Sequence, residues 1–227
     1  MQYLRQLIAR AASLSTAVTL LFSLIVAVAA EPTVRTDIEM SGVSGDAQKP
    51  RRHFRLRNPA ELSRDEAADL YELIRDTLKA GYGRSGWAVA AKYQAWRRHN
   101  TVPYRSLTHG NHYLNNYSNA TAKAYGAFEN AGTLPVGSII AKDSFAVTES
   151  RGIVLGPLFL MEKMPPGFYD VTADWKFVQI LADGTLLGET NGEGAERVDY
   201  CIGCHLAAER HDLLYFLPKD YRVSPSR

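Results

Sequence analysis

Apolar residues recur at helical spacing in the first part of the folded region. Ser63-Arg64-Asp65-Glu66 fits a capping box, in which the first and fourth side chains each accept from the other residue's backbone N–H. Apolar residues then return every three or four positions until Gly81, which predicts a helix. Similar spacing at residues 87–98 predicts a second helix, and residues 120–128 predict a third.

Beyond residue 101 the apolar period shortens, as it does in β-strands. Strand-like runs cover residues 113–117, 138–147, 155–164 and 175–181. Asp183-Gly184 suits a tight hairpin turn between residues 177–181 and residues 185–187. The predicted fold class is therefore α+β, with an antiparallel sheet, N-terminal helices and a short C-terminal helix.

The first 30 residues have the composition of a signal peptide. Arg5 and Arg10 precede an uncharged stretch rich in Leu, Val and Ala, which ends in small residues that a signal peptidase can cut. A retained membrane anchor is the alternative, because the apolar run is nearly long enough to span a bilayer. We predict that residues 1–30 are removed and that the protein is exported to the periplasm.

Residues 31–58 lack apolar periodicity and predict a flexible linker, so that residues 59–227 form one domain. Two of the 26 basic residues lie in residues 1–30, which leaves basic and acidic residues equal at 24. A neutral chain does not predict nucleic acid or an anionic membrane as a partner, because both are recognised by net positive surfaces. The basic cluster at residues 49–57 is interpreted as solvated linker.

Both cysteines of the chain lie in Cys201-Ile202-Gly203-Cys204-His205. Cysteines this close make a poor structural disulfide, since the loop that they close is tiny. A thioredoxin-like redox pair would follow a strand in a βαβ pattern, and a zinc site would need a second Cys/His pair. The motif instead predicts one covalently bound haem c, with thioethers at both cysteines and His205 as the iron ligand, on the short C-terminal helix.

The remaining candidate ligands are weaker. The other histidines considered are not spaced as a metal cluster and are interpreted as core or surface residues; they are His99, His109, His112 and His211. Met161 or Met164 as a sixth iron ligand would make the protein a plain electron carrier. A binding or structural domain that uses its haem only for stability is a further alternative.

Several motifs together resemble the cytochrome P-460 family. They are LPVGSIIAKDSF at residues 134–145, GPLFLMEK at 156–163, DWKF at 174–177 and the late haem motif. The resemblance implies a periplasmic, sheet-based haem protein, often a homodimer, that oxidises hydroxylamine or handles nitric oxide at an open distal site. A small-molecule ligand and a soluble electron-transfer partner are the implied partners. The related cytochromes c′-beta bind gases without that chemistry.

Lys142 matches a strand lysine that the family's enzymes cross-link to a porphyrin meso carbon. The resemblance therefore implies that Lys142 is both a cofactor-binding and a catalytic residue. Its place beside Ile140 in an apolar strand permits this, because its long stem can lie along a ring. A strand lysine that reaches solvent or guards a sheet edge is the alternative.

Glu162 resembles the distal acid of the family's enzymes, which implies a catalytic proton acceptor. Strand alternation puts it on one face with Leu158 and Leu160, so its carboxylate could end an apolar surface. A surface pair of Glu162 with Lys163 is the alternative. Aromatic residues are also available to line a gas-binding site, namely Tyr113, Phe145 and Phe159.

Overall fold

The computed structural model describes residues 34–35, 52–56 and 58–224. Within these residues nine strands form one sheet: β1 (Val34–Arg35), β2 (Arg97–Arg98), β3 (Tyr104–Ser106), β4 (His112–Ser118), β5 (Ile139–Val147), β6 (Ile153–Leu155), β7 (Leu158–Lys163), β8 (Trp175–Ile180) and β9 (Leu186–Glu189). The predicted signal peptide lies outside the described residues.

Strand β5 is the centre of the sheet. It pairs antiparallel with β4 along one edge, and with β7 and then β6 along the other. β8 and β9 extend the sheet beyond β7, β2 and β3 pair with β4, and only β1 runs parallel to its neighbour β6. The antiparallel sheet of the predicted α+β fold is confirmed.

The first helix, α1 (Arg64–Gly83), covers one face of the sheet. Its capping box is formed as predicted, with the Ser63 hydroxyl accepting from the Glu66 N–H and the Glu66 carboxylate accepting from the Ser63 N–H. Its apolar stripe, which includes Ile74 and Leu78, packs against Phe145 and other side chains of the sheet. Together these residues form one buried cluster, the α1 cluster. The haem motif packs on the opposite face, where Cys201 and Ile202 share a buried cluster with Ile140 and Phe177.

The second predicted helix is wrong. Residues 88–92 form turns, Tyr93–Ala95 is one turn of 3-10 helix, and Arg97–Arg98 is strand β2. Pairing with β4 satisfies the backbone groups of β2, so a long-range contact overrides the local spacing. The third predicted helix is a 3-10 segment, Lys123–Asn130.

The predicted strands are confirmed, and so is the hairpin at Asp183-Gly184. Gly184 has a φ of +93°, and the Leu181 N–H donates to the Thr185 carbonyl at 2.8 Å across the turn. The long run at residues 155–164 is divided between β6 and β7 by Gly156-Pro157. Proline lacks the N–H that a continuous strand would need, so pairing stops there.

Residues 52–56, which the sequence places in a flexible linker, pack against the domain. The side chains of Phe54 and Leu56 are buried, and Leu56 contacts Ala146 and Val154. This part of the predicted linker is therefore an ordered edge of the fold. Among the described residues, no helix combines the length and the apolarity needed to cross a bilayer.

Candidate haem site

The haem motif lies on the short helix α2 (Asp199–His205) at the second face of the sheet. Cys201 is buried, Cys204 is exposed, and neither forms a disulfide. Residues three apart on a helix lie on one side, so the two thiols and the adjacent imidazole are presented together. Burial raises the pKa of the Cys201 thiol to about 12. Two unpaired thiols beside a histidine are the donor set that a c-type haem requires.

The His205 imidazole is held in one orientation and one tautomer. Its Nδ1 lies 2.7 Å from the Leu213 carbonyl oxygen, so Nδ1–H donates and Nε2 keeps its lone pair. Phe177 and Tyr215 pack edge-on against the ring at 5.0 and 5.3 Å. Burial lowers the pKa of His205 to about 4, which keeps the ring neutral and able to bind a metal at pH 7.

A buried ion pair fixes the turn that carries the Leu213 carbonyl. Lys163 Nζ and Asp212 Oδ1 are 2.6 Å apart, and Asp212 Oδ2 accepts from the Leu134 N–H at 2.9 Å. Asp212 and Leu213 both have positive φ, at +55° and +60°. The Asp212 contacts hold this left-handed turn, which in turn orients His205.

His205 opens onto a cavity of about 300 Å³ between the sheet and the C-terminal segment. A narrower cavity, which shares several of its lining residues, reaches towards Cys201 and the apolar side chains Phe159 and Phe177. Four nitrogen-bearing side chains line both cavities, and these are His53, His109, Lys142 and His205. Among the described residues, no Asp or Glu lines either cavity.

Lys142 points to the cavity from the middle of β5. It is opposite Asn116 on β4 and Phe159 on β7, and its side chain is 5% exposed. In the described part of the chain, the side-chain amine of Lys142 has neither a hydrogen bond nor an ion pair. Burial lowers the pKa of Lys142 to about 8, against a smaller opposite effect of Cys204. At a given pH, a larger fraction of the Lys142 amine is therefore neutral, and so nucleophilic, than in an exposed lysine.

Glu162 does not reach this cavity. It lies directly opposite Lys176 of β8, on the sheet face that packs against α1. The predicted alternation with Leu158 and Leu160 is correct, but both of these residues belong to the α1 cluster. The structure therefore separates Glu162 from Lys142 and His205, and the geometry does not support its predicted role as a distal acid.

Two cavity histidines are not predicted by the sequence. The sequence places His53 in the linker and His109 in the core or at the surface, whereas their rings stack at 4.8 Å with an interplanar angle of 22°. Neither stands in a periodic segment or a recognisable motif, so no sequence signal identified them. Of the three candidate aromatic residues, Phe159 lines the cavity, whereas Tyr113 and Phe145 stack on the α1 face.

The fit of the site to a haem agrees with the comparison to known families. The family model of Cytochrome P460 matches residues 90–216, more than half of the chain, including Lys142 and the haem motif. No curated protein matches the chain significantly. Membership of this family implies a haem cofactor. The two free thiols can attach a haem, and the Nε2 lone pair of His205 can bind its iron. This chain therefore belongs to the cytochrome P460 family.

Proposed function

We propose that this protein is a periplasmic mono-haem c-type cytochrome that binds and oxidises hydroxylamine. One observation carries the proposal: His205 and Lys142 line two adjoining cavities, and one free thiol lines each of them, Cys201 the narrower and Cys204 the wider. Cys201 and Cys204 would hold the haem through thioethers, and His205 would bind the iron. When bound, the haem supplies an iron that accepts electrons from a small nitrogen ligand.

Lys142 gives the site its family-specific chemistry. Its Nζ would hold the haem through a bond to a porphyrin meso carbon, and forming that bond would remove one hydrogen from the amine and one from the carbon. This would be a two-electron oxidation with hydrogen peroxide as the oxidant, which takes up the two hydrogens and is reduced to two molecules of water. The lowered pKa of Lys142 supports the step because it increases the fraction of neutral amine at a given pH.

The remaining side chains shape access to the site. Ile140, Phe159 and Phe177 form an apolar wall that restricts water around a small ligand. Oxidation of hydroxylamine to nitric oxide releases three electrons and three protons. The electrons leave to a soluble one-electron carrier, and the protons leave through the wider cavity, which is open beside Cys204 and Tyr215.

A second function is favoured by one specific observation. No carboxylate of the described residues lines the cavity, so a dedicated proton acceptor of the Glu type is absent from this region. A site with this lining suits reversible binding of nitric oxide without turnover, as in the cytochromes c′-beta. The two functions share the same haem attachment and differ in whether the bound ligand is oxidised.

Attachment and turnover are tested separately. The purified mature protein is expected to keep a peroxidase-active haem on a denaturing gel, and the double variant Cys201→Ala/Cys204→Ala is expected to lose it. Hydroxylamine is then added with a soluble one-electron acceptor. Acceptor reduction supports the oxidase, and binding without acceptor reduction supports the gas-binding function. A wild-type protein without covalent haem contradicts both.

Glu162 provides a prediction that departs from the family resemblance. Glu162→Gln is expected to leave the turnover of hydroxylamine within about twofold of wild type, because the side chain lies on the α1 face. Steady-state acceptor reduction at saturating hydroxylamine measures this. A large loss of turnover with unchanged hydroxylamine binding would restore Glu162 as a proton acceptor.

A further inference from the structure

The face of the sheet opposite the haem cavity holds a buried carboxylate that the proposed function does not use. Asp143 directly follows Lys142 on β5, and its side chain is fully buried. Three uncharged side chains donate hydrogen bonds to it. They are the hydroxyls of Tyr71 and Tyr93, at 2.6 and 2.9 Å, and the side-chain amide of Asn115, at 3.0 Å. These donors offset the cost of burying the carboxylate and keep a proton acceptor in the interior.

The hydrogen bonds of Tyr71 have a defined direction. Its hydroxyl donates its only proton to Asp143 Oδ2, so the Tyr117 hydroxyl, 2.6 Å away, must donate to the Tyr71 oxygen. Tyr82 is buried in the same α1 cluster, but its hydroxyl donates to the Gly156 carbonyl oxygen at 2.7 Å. A peptide carbonyl is not a base at neutral pH. Of these two tyrosines of α1, only Tyr71 can pass its proton to a base.

A continuous chain of hydrogen bonds joins this carboxylate to the wall of the wider cavity. Tyr104, which lines that cavity, donates to Asn116 Oδ1 at 2.9 Å, and the Asn116 N–H donates to Asn100 Oδ1 at 2.8 Å. Asn100 Nδ2 donates to Asn115 Oδ1 at 2.8 Å, and Asn115 in turn donates to Asp143. Asn115 and Asn116 point to opposite faces of β4, so this chain of bonds crosses the sheet. It couples the two faces for electron transfer better than a gap between them would.

The buried setting determines how Tyr71 can be oxidised. Burial and the charge of Asp143 raise the pKa of Tyr71 far above its usual value, so the hydroxyl keeps its proton as long as the ring keeps its electrons. Burial also raises the pKa of Asp143, against the opposite effect of its hydrogen bonds. A phenol that loses an electron becomes a strong acid, and Asp143 is placed to accept its proton over 2.6 Å. No net charge then remains on the buried ring.

We propose that Tyr71 is an internal redox site, which gives an electron to the haem after hydrogen peroxide has oxidised it and passes its own proton to Asp143. This rests on the proposed function, since it needs a haem at Cys201 and Cys204. Hydrogen peroxide takes up two electrons, together with two protons from the solvent, and becomes two molecules of water. The haem supplies one electron and Tyr71 the other, which leaves Tyr71 as a neutral radical and Asp143 as a carboxylic acid.

The site protects the haem when peroxide arrives in the absence of hydroxylamine. An oxidising equivalent that moves to Tyr71 no longer attacks the porphyrin. The reduced form of the soluble one-electron carrier returns the electron, and Asp143 returns the proton. Tyr71 and the haem are then both restored, so the site can act repeatedly.

Electron paramagnetic resonance of the ferric holoprotein, frozen directly after mixing with hydrogen peroxide, tests the proposal. We expect a radical signal in wild type whose line shape changes when the protein contains tyrosine deuterated at Cβ. Tyr71→Phe should lose this signal and keep its packing, because only the hydroxyl is removed. Tyr82→Phe is the matched control and should keep the signal, since its hydroxyl faces a carbonyl. A wild type without a radical, or the same radical in Tyr71→Phe, overturns the proposal.

A second variant keeps Tyr71 and changes only its hydrogen bonding. Tyr117→Phe removes the donor to the Tyr71 oxygen. A hydrogen bond to the oxygen of a tyrosyl radical lowers its largest g value, so the radical should persist in this variant with that value raised. High-field electron paramagnetic resonance measures the change. An unchanged g value contradicts the assignment of the radical to Tyr71.

The protective role has its own measurement. Hydrogen peroxide should bleach the Soret band faster in Tyr71→Phe than in wild type or Tyr82→Phe, and equal rates in all three contradict protection. Haem staining on a denaturing gel and hydroxylamine-dependent acceptor reduction, measured on the same preparations, should be unchanged in Tyr71→Phe. Absence of covalent haem in wild type contradicts the proposed function, whereas a haem-containing wild type without a radical contradicts only the role of Tyr71.

Discussion

Lys142→Met is expected to abolish hydroxylamine oxidation while the haem stays attached at Cys201 and Cys204. In wild type, mass spectrometry should find the peptide containing Lys142 linked to the haem peptide, and the ferrous Soret band should be shifted strongly to the red. The variant should show an ordinary c-type spectrum, since the secondary amine that distorts the macrocycle cannot form. Methionine keeps an unbranched side chain in the buried position.

The design separates loss of chemistry from loss of folding. Burial depresses the pKa of the free Lys142 amine, so wild-type protein carries a desolvation cost before the cross-link forms, and Lys142→Met removes it. The free energy of unfolding of Lys142→Met should therefore be equal to or higher than that of wild-type protein without the cross-link. Lys176→Met is the matched control, because Lys176 stands on β8 and faces the α1 side of the sheet. A wild-type protein with an unlinked Lys142 would favour the gas-binding function.

Asp212→Ala is expected to lower the free energy of unfolding by about 3–5 kcal/mol. The side chains of Lys163 and Asp212 are 9% and 4% exposed, so the change leaves a buried ammonium without its counter-ion. It also leaves the Leu134 N–H without an acceptor and places alanine at a positive φ. Urea denaturation of the holoprotein, monitored by circular dichroism, measures the change.

Two further variants identify the cause. Lys163→Met/Asp212→Ala should recover much of the loss, because the uncompensated charge is removed. Glu72→Ala breaks an exposed pair with Arg75 and should cost less than about 1 kcal/mol. Asp212→Ala should also broaden the haem spectrum, since the turn that aims the Leu213 carbonyl at His205 is loosened. An unchanged midpoint for Asp212→Ala would exclude the ion pair as an anchor.

The elements that were predictable from sequence are those specified by neighbours along the chain. The capping box at Ser63, the hairpin at Asp183-Gly184 and the alternation of β5, β7 and β8 depend on residues a few positions apart. The haem motif is likewise local, because its thiols and imidazole lie within one turn of helix. The failure at residues 87–98 had the opposite cause, since β2 forms only by pairing with β4.

The candidate site depended on which sheet face each element covers. Alternation alone determines that Glu162 and Lys163 point to opposite faces of β7. It does not determine that α1 packs on the Glu162 side and that α2, with the haem motif, packs on the other. The same packing brings Lys142 to the cavity and excludes Glu162 from it. The strand sequences show which residues share a face of the sheet. Tertiary contacts decide which of the two faces is covered by α1 and which by the haem motif.

The sequence by itself determined three features of this protein. They are the late Cys-x-x-Cys-His motif, the placement of Lys142 in a strand and the α+β fold class with an antiparallel sheet. Only the tertiary structure decided what surrounds that chemistry. His53 contacts Tyr200 across 147 residues and Lys163 meets Asp212 across 49. Such contacts follow from the burial and polar pairing of distant segments, which leave no periodic trace along the chain.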